Sequence, residues 1–407
     1  MITIKPFKAI RPTRDKAHLV ATMPYYTYKK NVLEAKMEQN PYTFLHVINP
    51  EFHSIEKSKP NSDERFSKIK NKFQEFITDG IFIQDSSDCL YVYRQTKEGN
   101  SYLGIIGGAS VNEYNSDKIK KHEQTITSRE ETFSRYLKIV SFHAEPVLLF
   151  HEKNTELDEL LNTIIQRRAE YEFTSTEKIK HEIWVIDDSN EIKALQSIYA
   201  KLDAVYIADG HHRCASSARY AKEYQDENSE KNAHFLAYFI SEEKMNIIEY
   251  NRLVKDLNGL SSTDFLASLT ENFIVTISDI NLAKPKKSEE IGMYLDNTWY
   301  QLKMRTKLNE TDAVESLDTA ILSKKILTPI LNIVDLKTDN RIDFISGNKG
   351  MGGIADAVNN GKAAVGFALF PVSTTQLKKV ADANLSMPPK STWIEPKLRS
   401  GLTIYPL

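Results

Sequence analysis

Asp209-Gly210-His211-His212-Arg213 places a carboxylate, a glycine, two imidazoles and a guanidinium in unbroken succession. The apolar run before it, Ala204-Val205-Tyr206-Ile207, reads as a buried strand. After it, Cys214, Ala218, Ala221 and, on the neighbouring row, Tyr224 recur at helical spacing. The pattern predicts a strand, a tight Asp-Gly turn and a helix whose first turn carries His-His-Arg. A helix start presents unpaired N–H groups and a partial positive charge, which suits phosphate. His211, His212 and Arg213 add side-chain donors at the same place. The plainer reading stays open beside this one. Asp-Gly before a helix is ordinary turn chemistry, with Asp209 as a cap and the histidines solvated.

His122-Glu123 is the second feature of interest. A glutamate within reach of a phosphate-binding turn can act as general base toward an attacking hydroxyl. Its value depends on proximity to 209–213; otherwise it is a solvated loop in a lysine-rich stretch. Spacing argues against a metal shared by His211 and His212, because adjacent helical positions point about 100° apart and His-Glu-x-x-His is absent. The turn Gly347-Asn348-Lys349-Gly350-Met351-Gly352-Gly353 fits neither G-x-x-x-x-G-K-[ST] nor G-x-G-x-x-G and reads as a flexible turn opening a helix. Pro388-Pro389 stiffens a segment in which Lys390, Ser391 and Thr392 offer donors to an anionic ligand, or form a structural loop. Lys390 and Lys397 are candidates for a distant wall of the site.

These residues need a scaffold, and the composition allows one. The chain has 407 residues, 41% hydrophobic and 27% charged, enough for two or three domains. Its 53 basic and 55 acidic residues leave a net charge of −2, which argues against bulk attraction to nucleic acid. Two cysteines, Cys89 and Cys214, make no disulfide framework and fit a reducing compartment. No signal pattern and no run of about 18 apolar residues is present, so a cytoplasmic protein with no membrane partner is expected. Oligomeric state is not legible. Strands are expected at 43–48, 89–94, 102–111, 145–150, 183–186, 234–240, 247–254, 293–295, 299–304, 341–345 and 363–370. Helices are expected at 62–79, 129–138, 156–170, 191–201, 316–326 and 354–359, with an extended segment at 23–26. Such alternation predicts a mixed α/β fold.

Ala208–Arg213 resembles the phosphate-binding turn of the ParB and sulfiredoxin superfamily, and is closest to that of the archaeal free-serine kinases. Those kinases carry an Asp-Gly-His-His-Arg turn and, upstream, a His-Glu-Gln segment whose glutamate is the proposed base; this chain has His122-Glu123-Gln124 in the same order. Over nearly its whole length the chain resembles a bacterial domain-of-unknown-function family sometimes labelled ParB-like. The landmarks include Pro24-Tyr25, Pro146-Val147-Leu148-Leu149, Asn251-Arg252-Leu253-Val254 and Met387–Thr392. The resemblance implies a ParB/sulfiredoxin-like core at 116–258, flanked by α/β regions at 1–115 and 259–407. It also implies a phosphotransferase acting on a small hydroxylated metabolite, foremost free L-serine, to give O-phospho-L-serine. Glu123 would take the hydroxyl proton, and Gly210, His211, His212 and Arg213 would hold the donor phosphates of ATP, ADP or pyrophosphate. Asp209 would fix the turn or help hold Mg²⁺. The alternative is a ParB-like, nucleotide-dependent DNA-binding or regulatory protein. One departure stands out: the two motifs lie 86 positions apart (209 − 123), wider than in the compact kinases.

Overall fold

Val147–His151 is buried at every position, as an apolar run flanked by strands on both sides should be. It sits inside the larger of two sheets. The computed structural model describes residues 1–224, 229–306 and 312–407. The chain divides into two units, Met1–Met245 with Pro396–Leu407, and Asn246–Glu395. Both mix helices with strands, so the expected mixed α/β class holds.

In the first unit nine strands form one sheet: β1 (Ile4–Lys5), β2 (Leu90–Lys97), β3 (Asn100–Ser110), β4 (Ile119–Lys120), β5 (Val147–His151), β6 (Tyr171–Thr174), β7 (Lys180–Ile186), β8 (Val205–Asp209) and β9 (His234–Ser241). Their order is β4-β8-β5-β9-β3-β2-β7-β6, with β1 also on β3. Most pairs are antiparallel, including the expected hairpin β2–β3. Two are parallel: β9 on β5, and β4 on β8, with Ile119 opposite Val205 and Lys120 opposite Tyr206.

Among the longer helices of this unit are α1 (Asp63–Thr78), α2 (Thr127–Val140), α3 (Thr155–Ile164), α4 (Ser189–Ala200) and α5 (His211–Glu223). Each buries a stripe at helical spacing. Leu157, Leu161 and Ile164 of α3 join Leu149, Ile207, Phe235 and Cys214 in one core. Each fully buried aliphatic side chain of this kind is worth about 1.5–3 kcal/mol. Phe66, Ile69, Phe73 and Phe76 of α1 pack with Phe82 and Phe142 in a second core. The Ser62 hydroxyl accepts from the Arg65 N–H and caps α1.

The second unit has a seven-stranded sheet. Its strands are β10 (Asn246–Val254), β11 (Phe273–Ser278), β12 (Glu290–Leu295), β13 (Thr298–Met304), β14 (Ile342–Ser346), β15 (Val365–Ala368) and β16 (Thr392–Glu395). The order is β11-β13-β12-β15-β10-β14, with β16 also on β10, and every pair is antiparallel.

Several local expectations fail. Residues 43–48 were expected as a strand but form a helical turn, Leu45–Ile48. Phe44 donates its N–H to Val20 O, and with Leu45 and Val47 is buried, so tertiary contacts override the β-branched residues. Residues 23–26 are not extended throughout, because Pro24 leads into a tight turn, Tyr25–Thr27. The glycine-rich stretch does turn into a helix, but the helix starts four residues earlier than expected: a short turn at Gly347–Lys349 passes into Gly350–Asn359, which buries Ile354 and Ala357. The helix expected at 316–326 is regular only over Asp318–Leu322 and then widens through Ser323–Leu327.

Candidate functional site

The turn after β8 is built as its residues require. The β8–β5 register slips between Ile207 and Asp209, a bulge that re-aims the end of the strand. Gly210 caps α5 at φ +109°, a conformation side chains avoid. The Cys214 N–H then donates to Gly210 O at 3.0 Å, and the helix begins. His211, His212 and Arg213 occupy its first turn.

Arg213 folds back across the turn. Its Nη2 donates to Asp209 Oδ2 at 2.8 Å, and its Nη1 lies 2.9 Å from Glu145 Oε1 while donating to Pro146 O at 2.6 Å. Lys397 Nζ lies 3.6 Å from Asp209 Oδ1. Burial alone would raise the Asp209 carboxyl, but Lys397 and Arg213 outweigh it and hold it below its ordinary value. Asp209 is therefore an ionised spacer between two cations.

Glu123 reaches this turn through the sheet. Because β4 runs parallel to β8, the residues following each strand emerge at the same sheet edge. Three residues beyond Lys120 the chain is beside the start of α5, and the 86-position gap is closed by that pairing. The segment is anchored onward by Thr125, whose hydroxyl donates to Glu130 in α2. Glu123 Oε2 lies 3.5 Å from His211 Nδ1.

The His211 ring is buried and oriented. The backbone N–H of His122 donates to its Nε2 at 3.3 Å. A backbone N–H can only donate, so Nε2 is the acceptor and the single ring proton sits on Nδ1, facing Glu123. Burial, reinforced by His122, His212, Arg213 and Lys121, pushes the His211 pKa well down, so the ring is neutral and its contact with Glu123 is not an ion pair. His122 packs edge-on against it, ring centres 4.4 Å apart, and burial lowers its pKa to about 4. Both His122 ring nitrogens are buried without a hydrogen-bond partner among the described residues.

His122, Glu123 and His211 offer ligand atoms within 4.8 Å of one another, the number and type a transition metal takes. The tautomer opposes that use. The nitrogen of His211 that faces Glu123 carries the proton, and the other is held by His122 N–H. Asp209 is also a poor fit for Mg²⁺, since each of its oxygens already faces a cation.

Of the residues singled out from sequence, Glu123, Asp209, Gly210, His211, His212, Arg213 and Lys397 come together in the first unit. Lys390 belongs to the second unit, where its Nζ sits 5.5 Å from the centre of the Tyr250 ring. Glu145 was missed. Its only signal was a charge just before an all-apolar strand. His122 was noted but given no role.

Fold and site together define a mixed α/β protein in which a glycine-capped helix start carries paired cations beside a glutamate. The chain belongs to the family described as "Protein of unknown function (DUF1015)", which matches residues 4–320. No curated protein matches it. Among solved structures, a free serine kinase in complex with AMP is 13% identical, with a TM-score of 0.37, covering 74% of this chain and 91% of the other. SbnI with a C-terminal truncation, from Staphylococcus aureus, is 13% identical with a TM-score of 0.40, covering 74% and 87%. A conserved hypothetical protein from Pyrococcus furiosus is 13% identical with a TM-score of 0.33, covering 74% and 94%. Among the described residues no helix is long and apolar enough to cross a membrane.

Proposed function

We propose that this protein is a phosphotransferase that moves a phosphoryl group from a phosphate donor to the hydroxyl of a small metabolite, free L-serine foremost. The observation that carries the reading is the approach of Glu123 to within 3.5 Å of His211 on the first turn of α5. It puts a half-exposed carboxylate beside an anion-binding helix start.

Glu123 accepts the proton of the attacking hydroxyl, and the neutral His211, donating from Nδ1, keeps the carboxylate aimed. The N–H groups at 211–213 and the Arg213 guanidinium bind the donor phosphate and stabilise charge as it develops on the transferred group. His212 lines the same turn. Asp209 and Glu145 orient Arg213. Mg²⁺, when it accompanies a polyphosphate donor, neutralises phosphate charge, and its ligands come chiefly from the phosphates and water. ATP, ADP and pyrophosphate are all donors of this kind.

The test is direct. Purified protein with Mg²⁺ and L-serine is incubated separately with ATP, ADP and pyrophosphate, and O-phospho-L-serine is sought by mass spectrometry. Product with at least one donor is expected. Its absence with all three removes serine phosphorylation as the function.

A further inference from the structure

Charge balance around Arg213 is lopsided. One guanidinium stands between two carboxylates, 2.8 Å from Asp209 and 2.9 Å from Glu145, and Glu123 adds a third negative charge next door. A polyphosphate entering here brings further negative charge, and like charges at contact distance repel strongly where solvent is partly excluded. Arg213 alone is already offset before any ligand arrives. The turn needs a second cation.

Lys397 is that cation by position. Its side chain is only 19% exposed, and its Nζ lies 3.6 Å from Asp209 Oδ1, while Arg213 Nη2 lies 2.8 Å from Oδ2. The segment that carries it is fastened into the first unit at several points. Gln95 donates to Lys397 O at 3.3 Å, and Arg399 binds Glu177 and Ser175. Ser400 pairs with Thr22, Ile404 with Ile10 and Tyr405 with His143. A lysine held this way has given up most of its rotamer freedom at a site already rich in charge.

We propose that Lys397 is the second phosphate-binding cation of the 209–213 turn, gripping the terminal phosphate of a nucleoside di- or triphosphate or of pyrophosphate. Asp209 spaces Lys397 from Arg213 so that one phosphate is held from two sides. The proposal rests on the phosphotransferase reading for the nature of the donor. It makes the last twelve residues, which return to the first unit after the second, part of the site.

Calorimetry with the full chain tests it, using ATP, ADP and pyrophosphate as ligands. Lys397→Met is expected to weaken the donor that binds wild type by about 30–100-fold, and Lys397→Arg to restore it to within about fivefold. A lysine serving only to brace Asp209 would lose thermal stability in Lys397→Met together with affinity, so affinity lost at wild-type thermal stability is the expected result. Wild-type affinity in Lys397→Met, beside lost affinity in Arg213→Ala, overturns the role of Lys397 and leaves the phosphotransferase reading intact. No binding of ATP, ADP or pyrophosphate to wild type overturns both. A second measurement needs no folded variant: pyrophosphate should protect Lys397 of the wild-type protein from amine acylation, read by peptide mass spectrometry. Unchanged labelling overturns the proposal.

Discussion

The first unit turns from β8 through Gly210 into a helix, and the second turns from β14 through Gly347 and Gly350 into a helix of comparable length. Both offer a strand, a glycine and a helix start. They differ in what the neighbouring strand delivers. β8 has a parallel neighbour, β4, so His122 and Glu123 emerge beside it, and Arg213 and Lys397 supply positive charge. β14 pairs antiparallel with β10, which brings Glu249 against the turn: a Cβ on Gly347 would lie 2.4 Å from its carboxyl carbon. Asn348 donates to Glu395, a second carboxylate. Here two carboxylates face the turn, whereas in the first unit Arg213 and Lys397 stand against Asp209 and Glu145. The glycine makes the turn; the pairing direction of the adjacent strand decides what chemistry it has.

The largest expected difference between the two turns is in turnover. Glu123→Gln should lower kcat by about 10²–10⁴-fold, the range for loss of a general base, while donor affinity stays within about threefold. Glu249→Gln, the matching change in the second unit, should leave kcat alone. Steady-state kinetics with calorimetry decides. Donor affinity lost in Glu123→Gln would move that residue from proton acceptor to donor binding.

Binding should divide the same way. Arg213→Ala removes a partner common to Asp209 and Glu145 and should weaken the donor at least 100-fold. Lys349→Ala, the lysine on the second turn, should change it by less than twofold. Equal losses would mean that the second turn also takes the donor.

Acid should separate the units by sign. Burial lowers the His122 pKa to about 4, below its unfolded value near 6.5. The unfolded chain then binds more protons between those values, so this contribution is present above about pH 6.5 and is lost as pH falls toward 4. In the second unit, burial raises the Asp318 pKa to about 6 despite hydrogen bonds from Glu289 N, Ser288 and Phe370 N. There the folded state holds the extra proton, so stability is full below about pH 4 and declines as pH rises through 6. Each shift corresponds to about 3 kcal/mol. Hydrogen exchange at pH 7 and pH 5 should show protection falling around β8 and α5 while it rises around Asp318–Leu322. His122→Phe and Asp318→Asn should flatten the two trends separately.

Much of this is legible in the sequence, and what is not has physical reasons. Asp209–Arg213 announced itself because strand, turn and helix signals are local and the turn chemistry is carried by adjacent residues. The amphipathic helices 63–78 and 155–164 were equally plain, since each needs only its own period. Parallel pairing of a two-residue strand, Ile119–Lys120, leaves no period to read, so the approach of Glu123 to His211 could be posed but not answered. Glu145 was invisible for the same reason, being placed by the strand it precedes. Residues 43–48 misled because short apolar runs do not distinguish strand from helix without their tertiary partners.

The smallest expected effects test the backbone itself. Gly210 has φ +109°, and a Cβ there would also meet the Arg213 guanidinium at 3.2 Å. Gly210→Ala should therefore cost about 1–3 kcal/mol and shift Arg213 off Asp209. Gly352 lies inside the second unit's helix with ordinary φ and nothing within 4 Å of an added Cβ. Gly352→Ala should stabilise by about 0.5–1 kcal/mol, because alanine loses less backbone freedom in a helix. Chemical denaturation of the two variants measures both. Opposite signs are expected, with donor binding impaired only in Gly210→Ala. If Gly210→Ala is as stable and as active as wild type, the left-handed turn is not what holds Arg213 in place, and the carboxylates of Asp209 and Glu145 must do so unaided.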